Sequence, residues 1–290
     1  MNKAGLVFFG SGPVATKTLQ GLTKTGFKLE AVITKPKPAH HRGEFPVLRF
    51  CAQHKIAALT PQNKQELSEL FSQKRFKSPL GLVVDYGLII PADVIEGFEK
   101  GIVNSHFSLL PQLRGADPIT FAILSGQTET GVSLMLIDEK LDEGPLLVQK
   151  NLKIALEETA PSLTVKLIAL SNQMLAENLP RYLAGELLPY PQPKDPPTYS
   201  RKLTKEDGVM DWSKPTQVLE REVRAYAGWP KSTTKIFGQK IIVTSARLAE
   251  GEKDGALVMK ASPGYLEILQ LIAPSGRTMS GADFIRGYGK

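Results

Sequence analysis

Short apolar runs recur along the first 150 residues at a spacing that leaves room for a helix or a turn between neighbours. Residues 5–9 (GLVFF), Ala31-Val32-Ile33, Gly81-Leu82-Val83-Val84 and Gly101-Ile102-Val103-Asn104 are such runs. Strands that alternate with helices in this way predict a doubly wound, mostly parallel α/β sheet covered on both faces. The residues after Pro13 keep helical spacing through Leu22, and Pro46 to His54 reads as a helix. Ala160–Gly185 carries a longer helical pattern with Pro161 near its start. Gly131–Ile137 and Pro145–Gln149 read as further strands.

The texture then changes, because Pro189, Pro191, Pro193, Pro196 and Pro197 crowd into nine residues. No helix or central strand continues through such a stretch. Residues 189–200 are therefore expected to be a linker between a domain at 1–188 and a smaller one at 201–290. Beyond it a charged helical segment around Gln217–Arg224 precedes short β-type runs at Lys240–Thr244, Ala256–Lys260 and Leu266–Leu271. Gly, Asp and Pro separate these runs, which predicts a small β-barrel or sandwich. The net charge of +7 is uneven: residues 201–290 hold 15 Lys and Arg against 10 Asp and Glu, leaving 21 against 19 for the rest. A basic excess in the last third points to an anionic partner.

No apolar run approaches the roughly 18 residues of a membrane span, and the start MNKAGLVFFGSG lacks the pattern of an export signal. A soluble cytoplasmic protein without a membrane partner is expected. The single cysteine, Cys51, excludes an internal disulfide framework and a Cys-cluster metal site, and it reads as a small buried apolar residue. No metal is expected.

Gly10-x-Gly12-x-x-Ala15 follows the first strand and is similar to a dinucleotide fingerprint. That fingerprint needs an acidic residue at the end of the second strand, where Thr34-Lys35 stands, so a structural turn that starts a helix is the preferred reading. Asn104 and His106 are two apart in an extended run, so an amide and an imidazole project to one side. Strand ends of open parallel sheets are where ligand crevices form, although a lone histidine is more often a satisfied structural residue. A loop with two prolines, a glycine and an arginine follows (SLLPQLRGADP, 108–118), and an acidic turn stands at Leu141-Asp142-Glu143-Gly144.

The stretches NSHFSLLPQLRGADPI and GVSLMLIDEKLDEG resemble the formyltransferase family that uses 10-formyltetrahydrofolate. The likeness runs along the whole chain, through VFFGSGPVATKTLQGL, DYGLIIP, YSRKLTKEDGVMDWS, RAYAGWP and PSGRTMSGADF. It is strongest to members that formylate the α-amine of an initiator methionyl-tRNA. What the resemblance implies is a catalytic domain at 1–188 and a C-terminal barrel of oligonucleotide-binding type at 201–290. It also implies catalytic Asn104, His106 and Asp142, with the amide and the ring donating to a developing oxyanion and Asp142 orienting the ring. The folate pocket would be lined by Tyr86, Gly87, Leu88, Ser108, Leu109, Leu110 and Pro111, with backbone around Ile137–Leu141 facing the pterin. Contacts to tRNA would come from Lys35, Lys37 and Arg42, in a loop several residues shorter than its counterpart in these members. Phe107 and Asp85 also depart from the family pattern. A monomer is expected, and the runner-up acceptor is a nucleotide-linked amino sugar.

Overall fold

In the computed structural model, which describes residues 5–37, 43, 45–73 and 76–289, each apolar run of the first half becomes a strand of one sheet. Two compact units emerge: residues 1–116, 130–152 and 165–199 form one, and residues 117–129, 153–164 and 200–290 the other.

The strands of the first unit are β1 (Gly5–Phe9), β2 (Lys28–Ile33), β3 (Ala57–Leu59), β4 (Leu80–Val83), β5 (Ile102–His106), the short β6 (Arg114–Gly115), β7 (Glu129–Leu136) and β8 (Leu146–Lys153). Seven of them make a sheet in the order β3-β2-β1-β4-β5-β7-β8. Pairing is parallel from β3 through β5 and turns antiparallel between β5 and β7. The order reverses beside β1, the position at which open α/β sheets form crevices at their strand ends.

Among the described residues, four helices lie between β1 and β5: α1 (Gly12–Lys24), α2 (Pro46–His54), α3 (Lys64–Gln73) and the short α4 (Ala92–Glu96). Helix α1 buries Ala15, Thr18, Leu19 and Leu22, the i, i+3, i+4, i+7 face its sequence spacing required. Cys51 is buried on α2. The turn into α1 is structural, since Gly10 N donates to Ile33 O and Ser11 N to Asp85 O, so both amides serve the protein itself. A Cβ on Gly10 would come within 2.5–2.7 Å of Phe8, Val84 O and Ala15, so only glycine fits there.

Helix α5 (Pro118–Leu124) and the opening turn of α6 (Ala160–Leu183) lie in residues of the second unit. Thr159 and Ser162 cap α6 reciprocally, each side-chain oxygen accepting from the other's backbone N–H at 3.3 and 3.1 Å. The short strand β9 (Tyr199–Ser200) pairs with β6. Among residues 200–290 follow α7 (Thr216–Ala225), β10 (Ser232–Ile236), β11 (Gln239–Ala249), β12 (Val258–Lys260), β13 (Tyr265–Ile272), β14 (Thr278–Ser280) and α8 (Gly281–Tyr288).

These last five strands form a curled antiparallel sheet of the half-barrel type. One edge of β13 carries β11, and the other carries β12 and then β14. Leu219 and Val223 of α7, Phe284 of α8, and Ile241, Val243, Leu266, Ile268 and Leu271 of the sheet close its core. The polar strands β10 (STTKI) and β14 (TMS) were not visible in the sequence. Their side chains carry little apolar signal, and pairing to β11 and β13 holds them.

The proline-rich stretch lies along the first unit rather than spanning free. Tyr190 and Leu146 exchange backbone hydrogen bonds of 2.7 and 2.8 Å, and Thr198 accepts at its carbonyl from Arg114 N at 2.9 Å.

Candidate active site

The site is built at the end of β5. Residue alternation sends Ser105 to one face, where its hydroxyl meets Ser171 of α6 at 2.7 Å. Asn104 and His106 go to the other face, as their spacing required. The register sets Asn104 between Val83 of β4 and Met135 of β7, and His106 opposite Ser133.

His106 is buried, with 6 % of its surface exposed. Its Nε2 lies 2.9 Å from Leu113 O. A carbonyl only accepts, so Nε2 carries the proton and Nδ1 is the nitrogen left for chemistry. Nδ1 lies 3.7 Å from Asp142 Oδ2. That oxygen accepts the Gly115 N–H at 2.7 Å, while Asp142 Oδ1 accepts from Asn104 Nδ2 over a long 3.5 Å. The structure thus brings all three expected residues together, and one carboxylate touches both partners. Long hydrogen bonds of this kind commonly tighten when substrate fills a site.

The backbone here is strained where it aims these groups. Asp85, Leu113 and Asp142 have φ of 52, 56 and 52°, the left-handed region that Asp tolerates and that costs a residue such as Leu113 about 1–2 kcal/mol. Such residues persist only where their surroundings hold them, and they cluster at functional sites. Leu113 N is held by Thr198 Oγ1 at 2.8 Å, and this fixes the carbonyl that anchors His106.

The expected folate-lining residues divide into two groups. The loop 108–111 is locked from beneath: Ser133 Oγ donates to Ser108 O at 2.6 Å and accepts from Leu110 N at 3.1 Å, and Gln149 Nε2 donates to Leu110 O at 2.8 Å. Leu110 packs with Met135 and Leu146, Ser108 and Pro111 are buried, and Leu109 is half-buried. Tyr86 is a core residue, its ring edge-on to Phe9 at 5.7 Å, and burial pushes its hydroxyl far above the usual tyrosine range. Gly87 is exposed, with φ of 67°. Leu88 and Ile90 share an apolar cluster with Ile137, the residue at which the acidic-turn segment begins. Ile89, 78 % exposed, and Leu141, 64 % exposed, are large apolar side chains left open on these same segments.

Of the expected basic residues, Lys35 reaches Gly87: a Cβ there would lie 2.5 Å from its Nζ. Lys37 is exposed, and Arg42 lies outside the described residues. Sequence reasoning missed the Gly115 N–H, the Leu113 carbonyl and Gln192, whose amide donates to Asp142 O. Backbone groups leave no residue-type signal, and Gln192 is hidden in a proline-rich stretch.

Among the described residues no helix is long and apolar enough to cross a membrane, and no three His, Cys, Asp or Glu side chains come together to hold a metal ion.

The end of β5 thus holds an amide and an imidazole, and a carboxylate from the turn after β7 stands against both. The chain belongs to the formyl transferase family: the formyl transferase model matches residues 4–179, and the formyl transferase C-terminal domain model matches residues 202–289. Curated relatives include the methionyl-tRNA formyltransferase of Myxococcus xanthus, 36% identical over 99% of this chain and 96% of its own length. That of Stutzerimonas stutzeri is 34% identical over 96% and 93%.

Solved structures share the fold. The N-formyltransferase from Helicobacter canadensis, in complex with folinic acid and dTDP-3-aminofucose, superposes with a TM-score of 0.70 at 19% identity, covering 91% of this chain and 97% of its own. HypX from Aquifex aeolicus in complex with tetrahydrofolic acid gives 0.68 at 16% identity over 100% of this chain, which spans about half (48%) of that one.

Proposed function

We propose that this chain transfers the formyl group of 10-formyltetrahydrofolate to the α-amine of an initiator methionyl-tRNA, with Asn104, His106 and Asp142 as the catalytic residues. The observation that carries this reading is Asp142 standing against both Asn104 and His106 at the end of β5. Similarity along the full chain to relatives named for that reaction supports the acceptor.

The folate supplies an activated formyl carbon, and the amine of an aminoacyl ester is neutral near physiological pH, so no enzyme nucleophile is needed. The donor set fits that chemistry. Asn104 Nδ2 has a second hydrogen beyond the one turned to Asp142, and the His106 ring, anchored at Nε2 on Leu113 O, shares a proton with the formyl oxygen through Nδ1. Together they stabilise negative charge as it develops on the formyl oxygen. The new bond joins the amine nitrogen to the formyl carbon, the bond from that carbon to the folate nitrogen breaks, and the amine's proton passes to the folate nitrogen. Asp142 orients the imidazole and is placed to relay that proton.

Leu88, Ile90, Ile89, Leu141 and the backbone of 137–141 would receive the pterin, above a floor of Ser108, Leu109, Leu110 and Pro111, with Tyr86 and Gly87 at the β4 end. Lys35, Lys37 and Arg42, with the basic residues of 201–290, would meet tRNA phosphates. In this reading residues 1–188 are the catalytic domain, 189–200 the connecting segment and 201–290 the tRNA-binding domain, in a monomeric cytoplasmic enzyme.

The test is an acceptor panel: the chain and formyl-labelled 10-formyltetrahydrofolate are incubated with methionyl-tRNA and, separately, with nucleotide-linked amino sugars. Label on methionyl-tRNA is expected. Label on sugars alone, or formate released without any amine, would overturn the assignment.

A further inference from the structure

Asp142 holds a left-handed backbone at the tip of an acidic turn, and its own side chain is spent on Gly115 and Asn104. The backbone of that turn is gripped from outside. Gln192 Nε2 donates to Asp142 O at 2.7 Å and to Gly144 O at 3.0 Å. Its other amide atom, Oε1, accepts from Arg114 Nη2 at 2.8 Å, and Arg114 Nη1 pairs with Glu143 Oε1 at 3.2 Å. Three successive residues of the turn are therefore tied, directly or through Arg114, to one side chain.

We propose that Gln192 is a positioning residue for the reaction: from the proline-rich stretch it clamps the Asp142 turn and so sets the aim of the carboxylate at His106 and Asn104. This rests on the catalytic role assigned to Asp142. Three features make Gln192 suited to the task. Pro191 and Pro193 flank it, and their fixed φ limits the conformations from which the amide is presented. The segment is pinned on both sides, by the Tyr190–Leu146 exchange before it and by Thr198 after it. Both its donor hydrogens and its acceptor oxygen are used, so neither a carboxylate nor an apolar side chain reproduces the set. Because Thr198 also holds Leu113, the same stretch steadies the carbonyl that anchors His106 and the turn that carries Asp142.

The experiment is a double-mutant cycle in the full chain between Gln192→Met and Asp142→Asn, read by single-turnover formyl transfer, with KM for both substrates and the melting temperature measured alongside. A displaced catalytic group typically costs up to about a hundred-fold. Gln192→Met is expected to lower the rate roughly ten- to a hundred-fold with KM for either substrate within about two-fold and little change in melting temperature. In the Asp142→Asn background the same substitution is expected to cost almost nothing, because the group it aims is already gone. Gln192→Glu keeps the acceptor for Arg114 but supplies no donor for the Asp142 and Gly144 carbonyls, so it is expected to share the deficit of Gln192→Met.

A wild-type rate for Gln192→Met, a loss that is fully additive with Asp142→Asn, or a loss matched by a fall in melting temperature would overturn the positioning role. Wild-type activity of Asp142→Asn would instead overturn the catalytic assignment on which it rests.

Discussion

His106 donates its Nε2 proton to the carbonyl of Leu113 at 2.9 Å, which gives the two ring nitrogens separate duties. One anchors the ring and the other, Nδ1, faces Asp142 Oδ2 at 3.7 Å. A glutamine at this position keeps an N–H for the Leu113 carbonyl and has no second nitrogen for the site. His106→Gln is therefore expected to fold normally and to lose about 10²–10³ in turnover, the usual cost of removing one oxyanion donor. Comparing turnover with the melting temperature checks this, and a variant that melts early while its surviving fraction works normally would contradict it.

The turn that presents Asp142 depends on Gly144, whose added Cβ would sit 1.9 Å from Leu136 O, a backbone atom that cannot step aside. Gly144→Ala is expected to cost about 1–3 kcal/mol by overpacking and to depress activity with it. Gly251, with nothing within 4 Å of an added Cβ, is the control, and Gly251→Ala is expected to stay within about 0.5 kcal/mol. Thermal melts of both variants decide the matter; equal melting temperatures would be the wrong result.

In the second unit Asp207 accepts from Arg201 Nη1 at 2.8 Å and from Thr204 N at 2.7 Å. The Arg201 guanidinium hydrogen-bonded to it, with the Thr204 N–H, holds the Asp207 carboxyl well below the usual carboxylate range. A folded-state pKa lowered in this way stabilises the protein fully above the unfolded value of about 3.9, and that stabilisation is lost progressively as pH falls from there through the lower folded value. Asp207→Asn is expected to lower the melting temperature at pH 7, and the gap to wild type is expected to narrow as pH drops below about 4. Melts at pH 7 and pH 3 measure it, and a gap that widens in acid would refute the pairing.

The strands and helices that build the sheet were legible because apolar runs and helical spacing report burial directly. The i, i+2 logic of Asn104 and His106 was legible for the same reason. Asp142 was not: nothing local in Leu141–Gly144 announces that its carboxylate folds back 38 residues along the chain onto Asn104, and only family resemblance named it. The proline-rich stretch shows the opposite failing. Its composition says where helix and strand must stop, but the hydrogen bonds that lay it along the first unit come from Gln192, Thr198 and the backbone of Tyr190, none of which composition can foresee. Tyr86 illustrates a third case: the family resemblance named it as pocket lining, and the structure sets its ring edge-on to Phe9 in the core.

In the proposed mechanism the Asn104 amide, held against Asp142, stabilises oxyanion charge during formyl transfer. Single-turnover formylation of methionyl-tRNA by Asn104→Ala tests it most directly. Loss of one oxyanion donor typically costs about 2.7–4 kcal/mol of barrier, so a fall of roughly two to three decades in rate at an unchanged melting temperature is predicted. A rate near that of the wild-type chain would contradict the account.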